Sequence, residues 1–479
     1  MTSLWRPVAA IVAAAVITAC TGGSDSRGEP SGTIGVPAAP GAAARDLALG
    51  RSQPVADPVY PDYGNPGVDV LHYGLALGWS PSDKLLSGVA TLTIRLTEPA
   101  EQLRLDFDDI LHVDDVRLDG QVRSALQAGD DLVVPAGRRL AADEPVTLTV
   151  RYHGTPQGAP GPVVREDLVT VGWHADPRGQ VFALQEPYGA FTWFPSNDQP
   201  SDEALFDVAV TVPTGWAGVS SGTLTGTTTG DGTITYRWRA TEPIATYLLA
   251  LGIGRYREVT DTGPHGLPVS YWIPKGREGL GVFAETPSEI GWLEERFGPY
   301  PFSSAGVMHI DANTGMETQT MITLPMDAPE EVLLHELAHQ WFGDAVTPRD
   351  WRDMWLNEGW AMYAQVLYEA DRLGVDLAER LAGFRAQDAQ LRAEHGPPGH
   401  YNSGHFGSPN VYYGPALMLH AIRQQIGDQR FFAMAAAWVQ EHRNTTQDRA
   451  SFTKFVNGFT GHDFTPLINA WLDSPTTPA

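Results

Sequence analysis

The 479-residue chain is 42% hydrophobic and only 19% charged, with a formal net charge of −25. That composition supplies core material for two or three globular domains and excludes a disordered or fibrous protein. The negative field repels phosphate backbones, which sets nucleic-acid binding aside, and a single cysteine excludes an internal disulfide framework.

Residues 1–19 carry one basic residue, Arg6, then an apolar run too short for a comfortable membrane span, then small residues. This is the pattern of a secretion signal. ITAC (17–20) resembles a bacterial lipobox, which implies cleavage before Cys20 and lipid attachment to its thiol. Residues 20–57 are rich in Gly, Ser, Pro and Ala with few large apolar side chains, and read as a flexible tether. A multiply acylated Cys20 on such a leash would hold an exported domain at the outer face of the cytoplasmic membrane, in the periplasm or at the cell surface.

Residues 58–257 alternate apolar and polar side chains with period two, as in VATLTIRL (89–96), VTLTVRYH (146–153) and DVAVTVP (207–213). They predict an antiparallel, β-sandwich-like domain. In the second domain, 258–479, the period lengthens from about 280. EEVLLHELAHQWF, NEGWAMYAQVLYEADRL, AERLAGFRAQDAQLRAE, PALMLHAIRQQIG, FFAMAAAWVQEH and ASFTKFVNGF all suit helices. The expected fold is a multidomain α+β protein. No further transmembrane run follows residue 20, and no internal repeat of fixed period is present.

Within the second half, HELAH (335–339) places two histidines one helical turn apart. His335 and His339 can therefore face one cation while Glu336 turns toward its open side. Glu358, in WLNEGWAMY, lies nineteen positions after His339 at the start of the next predicted helix. Two histidines and one carboxylate leave the fourth tetrahedral position to water, the arrangement of a catalytic rather than a structural zinc. One Zn²⁺ per chain is the expected cofactor.

The stretch HELAHQWFGDAVTPRDWRDMWLNEGWAMY (335–363) resembles the gluzincin signature of the aminopeptidase N family, which also includes leukotriene hydrolase. TGMETQTM (314–321) resembles that family's exopeptidase motif, with Gly315, Met316 and Glu317 in register and Thr318 where asparagine is usual. The resemblance implies that Gly315 and Met316 hold the substrate backbone and that Glu317 holds its free ammonium. In LQEPYGAFTWFPSNDQP (184–200), Glu186 takes the place of a second amine-binding acid. Two carboxylates facing one pocket repel unless a cation joins them, which suits an α-ammonium ligand. VYYGPALMLHAI (411–422) resembles the tyrosine helix, with Tyr412 at the catalytic position or, after a one-residue shift, Tyr413; Gly414 stands where a basic residue is usual.

The resemblance implies a thermolysin-like catalytic domain with no C-terminal helical-repeat domain, since about 120 residues follow Glu358. It further implies zinc-dependent removal of N-terminal residues from peptides with a free amine, with Glu336 as general base and Tyr412 as oxyanion donor. A thermolysin-like endopeptidase and a surface-anchored binding lipoprotein with an inactive site are the alternatives. His309, His400 and His405 have no ligand spacing and read as loop or surface residues. Trp341, Trp351, Trp355 and Trp360 crowd the zinc region as packing residues.

Overall fold

Alternating burial along Leu85–Leu96 and Pro145–Gly154 builds the expected sheet, with one face of each strand inward. In the computed structural model, which describes residues 34–42, 45–163 and 169–478, these strands join a nine-stranded sheet. The expected signal segment, 1–19, and Cys20 lie outside the described residues. At the sheet's centre Val68–Ser80 is buried along its whole length. It pairs antiparallel with Leu85–Leu96 and parallel with Glu203–Pro213, so the sheet is mixed rather than purely antiparallel. A five-stranded sheet that includes Thr170–Ala175, Val181–Leu184 and Leu251–Gly254, and a three-stranded one of Ala100–Asp106, Asp131–Leu140 and Leu126–Ala128, complete the β domain.

Full burial of the central strand has a cause that composition hid. The expected flexible tether, 20–57, is in its described part a strap lying on the sheet. At Gly74 a Cβ would stand 1.6 Å from the Pro40 carbonyl oxygen, and at Gly78 one would stand 2.7 Å from that of Ile34. Small residues therefore make the sheet face smooth enough for backbone to lie on it. Farther along, Arg45 forms a buried ion pair with Asp207 at 2.9 Å, and the Ser52 N–H donates to Asp69. Over its described residues, 34–42 and 45–57, the expected leash is folded structure.

The expected domain boundary at 257/258 also shifts. Leu251–Gly254 pairs within the β domain, whereas Tyr256–Thr262 pairs with Pro268–Pro274 in a separate four-stranded sheet. The chain changes sheets at Arg255. Eight helices follow from Thr286: α1 (Thr286–Phe297), α2 (Glu330–His339), α3 (Trp355–Arg372), α4 (Leu377–His395), α5 (Asn410–Ile426), α6 (Asp428–His442), α7 (Arg449–Thr460) and α8 (Thr465–Asp473). One apolar core fills the helical half. The β-domain core continues past the boundary to Met316, Met321, Trp351 and Phe406, so the site's upstream and downstream segments are held by shared packing.

Candidate active site

Helix α2 carries His335 and His339 on one face, and it stops in an unusual way. Over Gln340–Asp344 the backbone widens into a π-type turn, with Gly343 at φ 131. This leaves the Phe342 carbonyl free to accept from His339 Nδ1, 3.1 Å away. A β-carbon at 343 would approach Asn357 and His339 Nδ1 to 3.3–3.4 Å in a backbone conformation that L side chains rarely adopt. The bond to Phe342 fixes the tautomer of His339, proton on Nδ1 and lone pair on Nε2.

Helix α3 supplies Glu358 in its first turn. His335 Nε2 lies 3.2 Å from His339 Nε2, and Glu358 Oε2 lies 3.2 and 3.4 Å from the two nitrogens. Ligand atoms about 2.0–2.1 Å from a tetrahedral metal stand roughly 3.3–3.4 Å apart, so the triangle has the right size for zinc. The three donor atoms converge on one point, and two imidazole nitrogens with one carboxylate oxygen form a zinc donor set, so the residues fit the metal. Burial opposes the charge on Glu358, but His339 and His335 win and hold its carboxyl well below the usual range.

The α3–α5 crossing delivers the tyrosine. A Cβ at Gly359 would sit 2.4 Å from Pro415 Cβ, so glycine next to Glu358 lets the helices approach closely. Three residues before Pro415, the Tyr412 hydroxyl donates to Glu358 Oε1 at 2.8 Å, and its ring stacks on His335. Tyr413 instead lies flat against Phe384, with ring centroids 4.0 Å apart and planes within 4°. Of the two expected candidates, Tyr412 reaches the metal ligands. Gly414 abuts the buried Arg392–Asp388 ion pair, and a Cβ there would lie 3.1 Å from Arg392 Nη2.

The exopeptidase segment lies alongside α2. Met316 exchanges both backbone hydrogen bonds with Thr323, at 2.9 and 3.0 Å, which holds the segment as a short ladder. At Gly315 a Cβ would come within 2.9 Å of Glu336 Oε1, so glycine makes room for the general-base candidate. Thr318 takes over the job of closing the turn: its hydroxyl donates to the Met321 carbonyl at 2.5 Å. From the β domain, Glu186 follows the strand Val181–Leu184 into the same cavity, of about 520 Å³, that His335, Glu336, His339, Glu358 and Tyr412 line.

Glu186 Oε1 and Glu317 Oε1 are buried without a hydrogen-bond partner among the described residues. Burial first, and then the charge of Glu317, push the Glu186 carboxyl well above its ordinary range. Burial likewise raises Glu317. The structure thus brings together every expected site residue except Cys20, which lies outside the described residues.

Sequence reasoning missed Gln365 and His395, which also line the cavity, because neither has motif spacing. His405, expected at the surface, stands behind His395 with their Nδ1 atoms 2.9 Å apart. His309 is partly buried and accepts from the Met326 N–H, whereas His400 is exposed as expected. The four tryptophans are core residues, each at most 1% exposed.

Comparison with known proteins agrees with this geometry. Residues 286–471 match the family described as Peptidase family M1 domain, and 70–248 match the Peptidase M1 N-terminal domain. An M1 zinc metallopeptidase from Deinococcus radiodurans has a crystal structure that superposes with a TM-score of 0.81 at 31% identity, covering 89% of this chain and 98% of that one. The chain belongs to peptidase family M1. It is a two-domain zinc metallopeptidase of aminopeptidase class. A mutant of that Deinococcus enzyme has been solved with a Tyr-Ser-Ala substrate. An aminopeptidase N from Acetobacter pasteurianus is 28% identical over 321 residues, 61% of this chain and 88% of its own length. One from Streptomyces lividans is 26% identical over 315 residues, but the match spans only 36% of that longer protein.

Proposed function

We propose that this M1 peptidase removes the first residue of peptides that carry a free N-terminal amine, with Glu336 as general base and Tyr412 as oxyanion donor. The observation that carries the reading is the pair of unpartnered buried carboxylate oxygens, on Glu186 and Glu317, lining the cavity of the metal donors. Two such acids are costly unless a cation joins them. A substrate ammonium supplies that cation, and anchoring it leaves only the first peptide bond over the metal ligands.

Zinc, when bound by His335, His339 and Glu358, supplies a Lewis acid for the scissile carbonyl and lowers the pKa of water toward about 7. Glu336 takes the proton of the attacking water and passes it to the leaving amine. Tyr412, turned from Glu358 toward the substrate, donates to the developing oxyanion, a contribution of about 2.7–4 kcal/mol. Gly315 and Met316 align the substrate backbone. The test is cleavage of matched peptides with free and acetylated N-termini. Acetylation abolishing cleavage supports the reading; equal cleavage of both overturns it in favour of an endopeptidase.

Attachment through a lipidated Cys20, and with it placement at the outer face of the cytoplasmic membrane, belongs to the same proposal and rests on ITAC alone. Mass spectrometry of the mature N-terminus tests it: a diacylated or triacylated Cys20 is expected, and an unmodified one refutes it.

A further inference from the structure

Gln340 directly follows the second metal-binding histidine and is fully buried. Its side chain uses all four hydrogen-bonding positions of a primary amide. Nε2 donates to the Glu317 carbonyl at 2.9 Å and to Asp344 Oδ2 at 2.6 Å. Oε1 accepts from the Thr320 N–H at 2.9 Å and from the Tyr300 hydroxyl at 3.1 Å. A glutamine used on every side in a dry interior is a rigid link.

What it links is specific. Glu317 precedes the turn that Thr318 closes and Thr320 lies within it, so the amide grips the exopeptidase segment at two points. One of them is the main chain of Glu317, the residue that carries an amine-binding carboxylate. Thr320 has φ 64, a conformation seldom adopted by non-glycine residues, and its hydroxyl accepts from the Gly222 N–H of the β domain at 2.7 Å. On the other side, Gln340 belongs to the turn whose Phe342 carbonyl orients His339. A single side chain therefore joins the segment that binds the substrate amine to the helix end that binds the metal.

We propose that Gln340 is a positioning residue that sets the spacing between the amine-binding carboxylates and the metal, and so governs recognition of the free N-terminus. This rests on the aminopeptidase reading above. Without the Nε2 bond the Glu317 carbonyl loses its tie to the helix end that carries His339, and the Glu317 main chain can shift between its anchors at Met316 and Gln319. The ammonium site and the metal then no longer match one substrate, and ground-state binding of the amine weakens first. The metal donors keep their own contacts.

The test uses the full zinc-loaded chain carrying Gln340→Met, which keeps length and removes all four bonds, and Gln340→Glu, which keeps the acceptor side and removes only the donations. Zinc content, the unfolding midpoint, kcat and KM are measured, together with inhibition by a free amino acid and by acetohydroxamate, a metal-directed ligand without an amine. Amino-acid affinity should weaken by about tenfold or more, with KM rising while kcat moves by less than about threefold. Acetohydroxamate affinity and zinc content should hold.

If both inhibitors weaken together, in step with lost zinc or a lowered midpoint, Gln340 is merely structural and the proposal falls. It falls equally if neither inhibitor changes. Adding Asp344→Asn to Gln340→Glu restores the 340–344 bond with its direction reversed, residue 344 now donating, but leaves the Glu317 carbonyl unheld. Recovery of stability without recovery of amine affinity is expected, and recovery of both refutes the link through Glu317. Should the wild-type chain itself cleave acetylated peptides as well as free ones, the aminopeptidase reading fails instead, a result visible before any variant is made.

Discussion

Tyr412→Phe removes one oxygen and leaves the ring, and the structure says what that oxygen does. It is the donor to Glu358 Oε1 at 2.8 Å, on a ring that stacks beside His335 within the cavity. Loss of an oxyanion donor costs about 10²–10³ in kcat, and the ground-state bond to a carboxylate is worth about 1.5–3 kcal/mol. Because that bond goes to a metal ligand, zinc content must be measured alongside rate. We expect kcat to fall about 100-fold or more at full zinc occupancy, with KM little changed. Tyr413→Phe is the control. Its ring packs on Phe384, so removing its hydroxyl should alter kcat by less than about threefold. Steady-state kinetics on an aminoacyl amide decides between them. If Tyr413→Phe is the crippled variant and Tyr412→Phe is not, the assignment and the packing argument behind it are wrong.

Glu336→Gln should retain zinc and fold normally while kcat drops by about 10²–10⁴, the usual weight of a general base; wild-type turnover would eliminate it from the chemistry. Treatment with 1,10-phenanthroline should abolish activity and stoichiometric zinc should restore it, as followed by rate and metal analysis. A separate prediction concerns Glu289 of α1, which is fully buried with neither oxygen partnered among the described residues. Burial, then Glu330, push its carboxyl from 4.5 up to about 9. A raised acid holds its proton in the folded chain while the unfolded chain loses it, so its contribution is complete below the unfolded pKa and declines as pH rises to the folded one. Across that window the slope is at most about 1.4 kcal/mol per pH unit. Glu289→Gln should flatten the fall of the unfolding midpoint between pH 5 and 9, and an unchanged pH profile would show that the carboxyl is not protonated.

The metal centre was legible because its chemistry is local: two of three ligands sit one turn apart on one helix, and Glu358 opens the next. Glu186 and Glu317 were legible only through motif resemblance, since they lie on different domains and meet through packing. The tyrosine was half legible. Gly414 and Pro415 break the usual pattern, and it took the Gly359–Pro415 crossing to show which hydroxyl reaches Glu358.

Other features left no trace in pattern. A Gly-, Ala- and Pro-rich strap has the composition of a free linker, and only the matching glycines of Val68–Ser80 reveal that backbone lies against them. The change of sheet at Arg255 follows hydrogen bonding that strand periodicity does not encode. Gln340 looks like any polar residue after a helix until its four bonds are traced. Thr318 stands out as a departure in sequence, yet its hydroxyl simply closes the turn.

If Glu186 and Glu317 fix the first peptide bond over the metal ligands, products leave in a set order. Zinc-loaded protein is incubated with a short unmodified peptide, and the products are followed in time by mass spectrometry. The first product should be the peptide shortened by its N-terminal residue, followed by successive single-residue losses from that end. Internal fragments present at the earliest times, in place of that ladder, would contradict it.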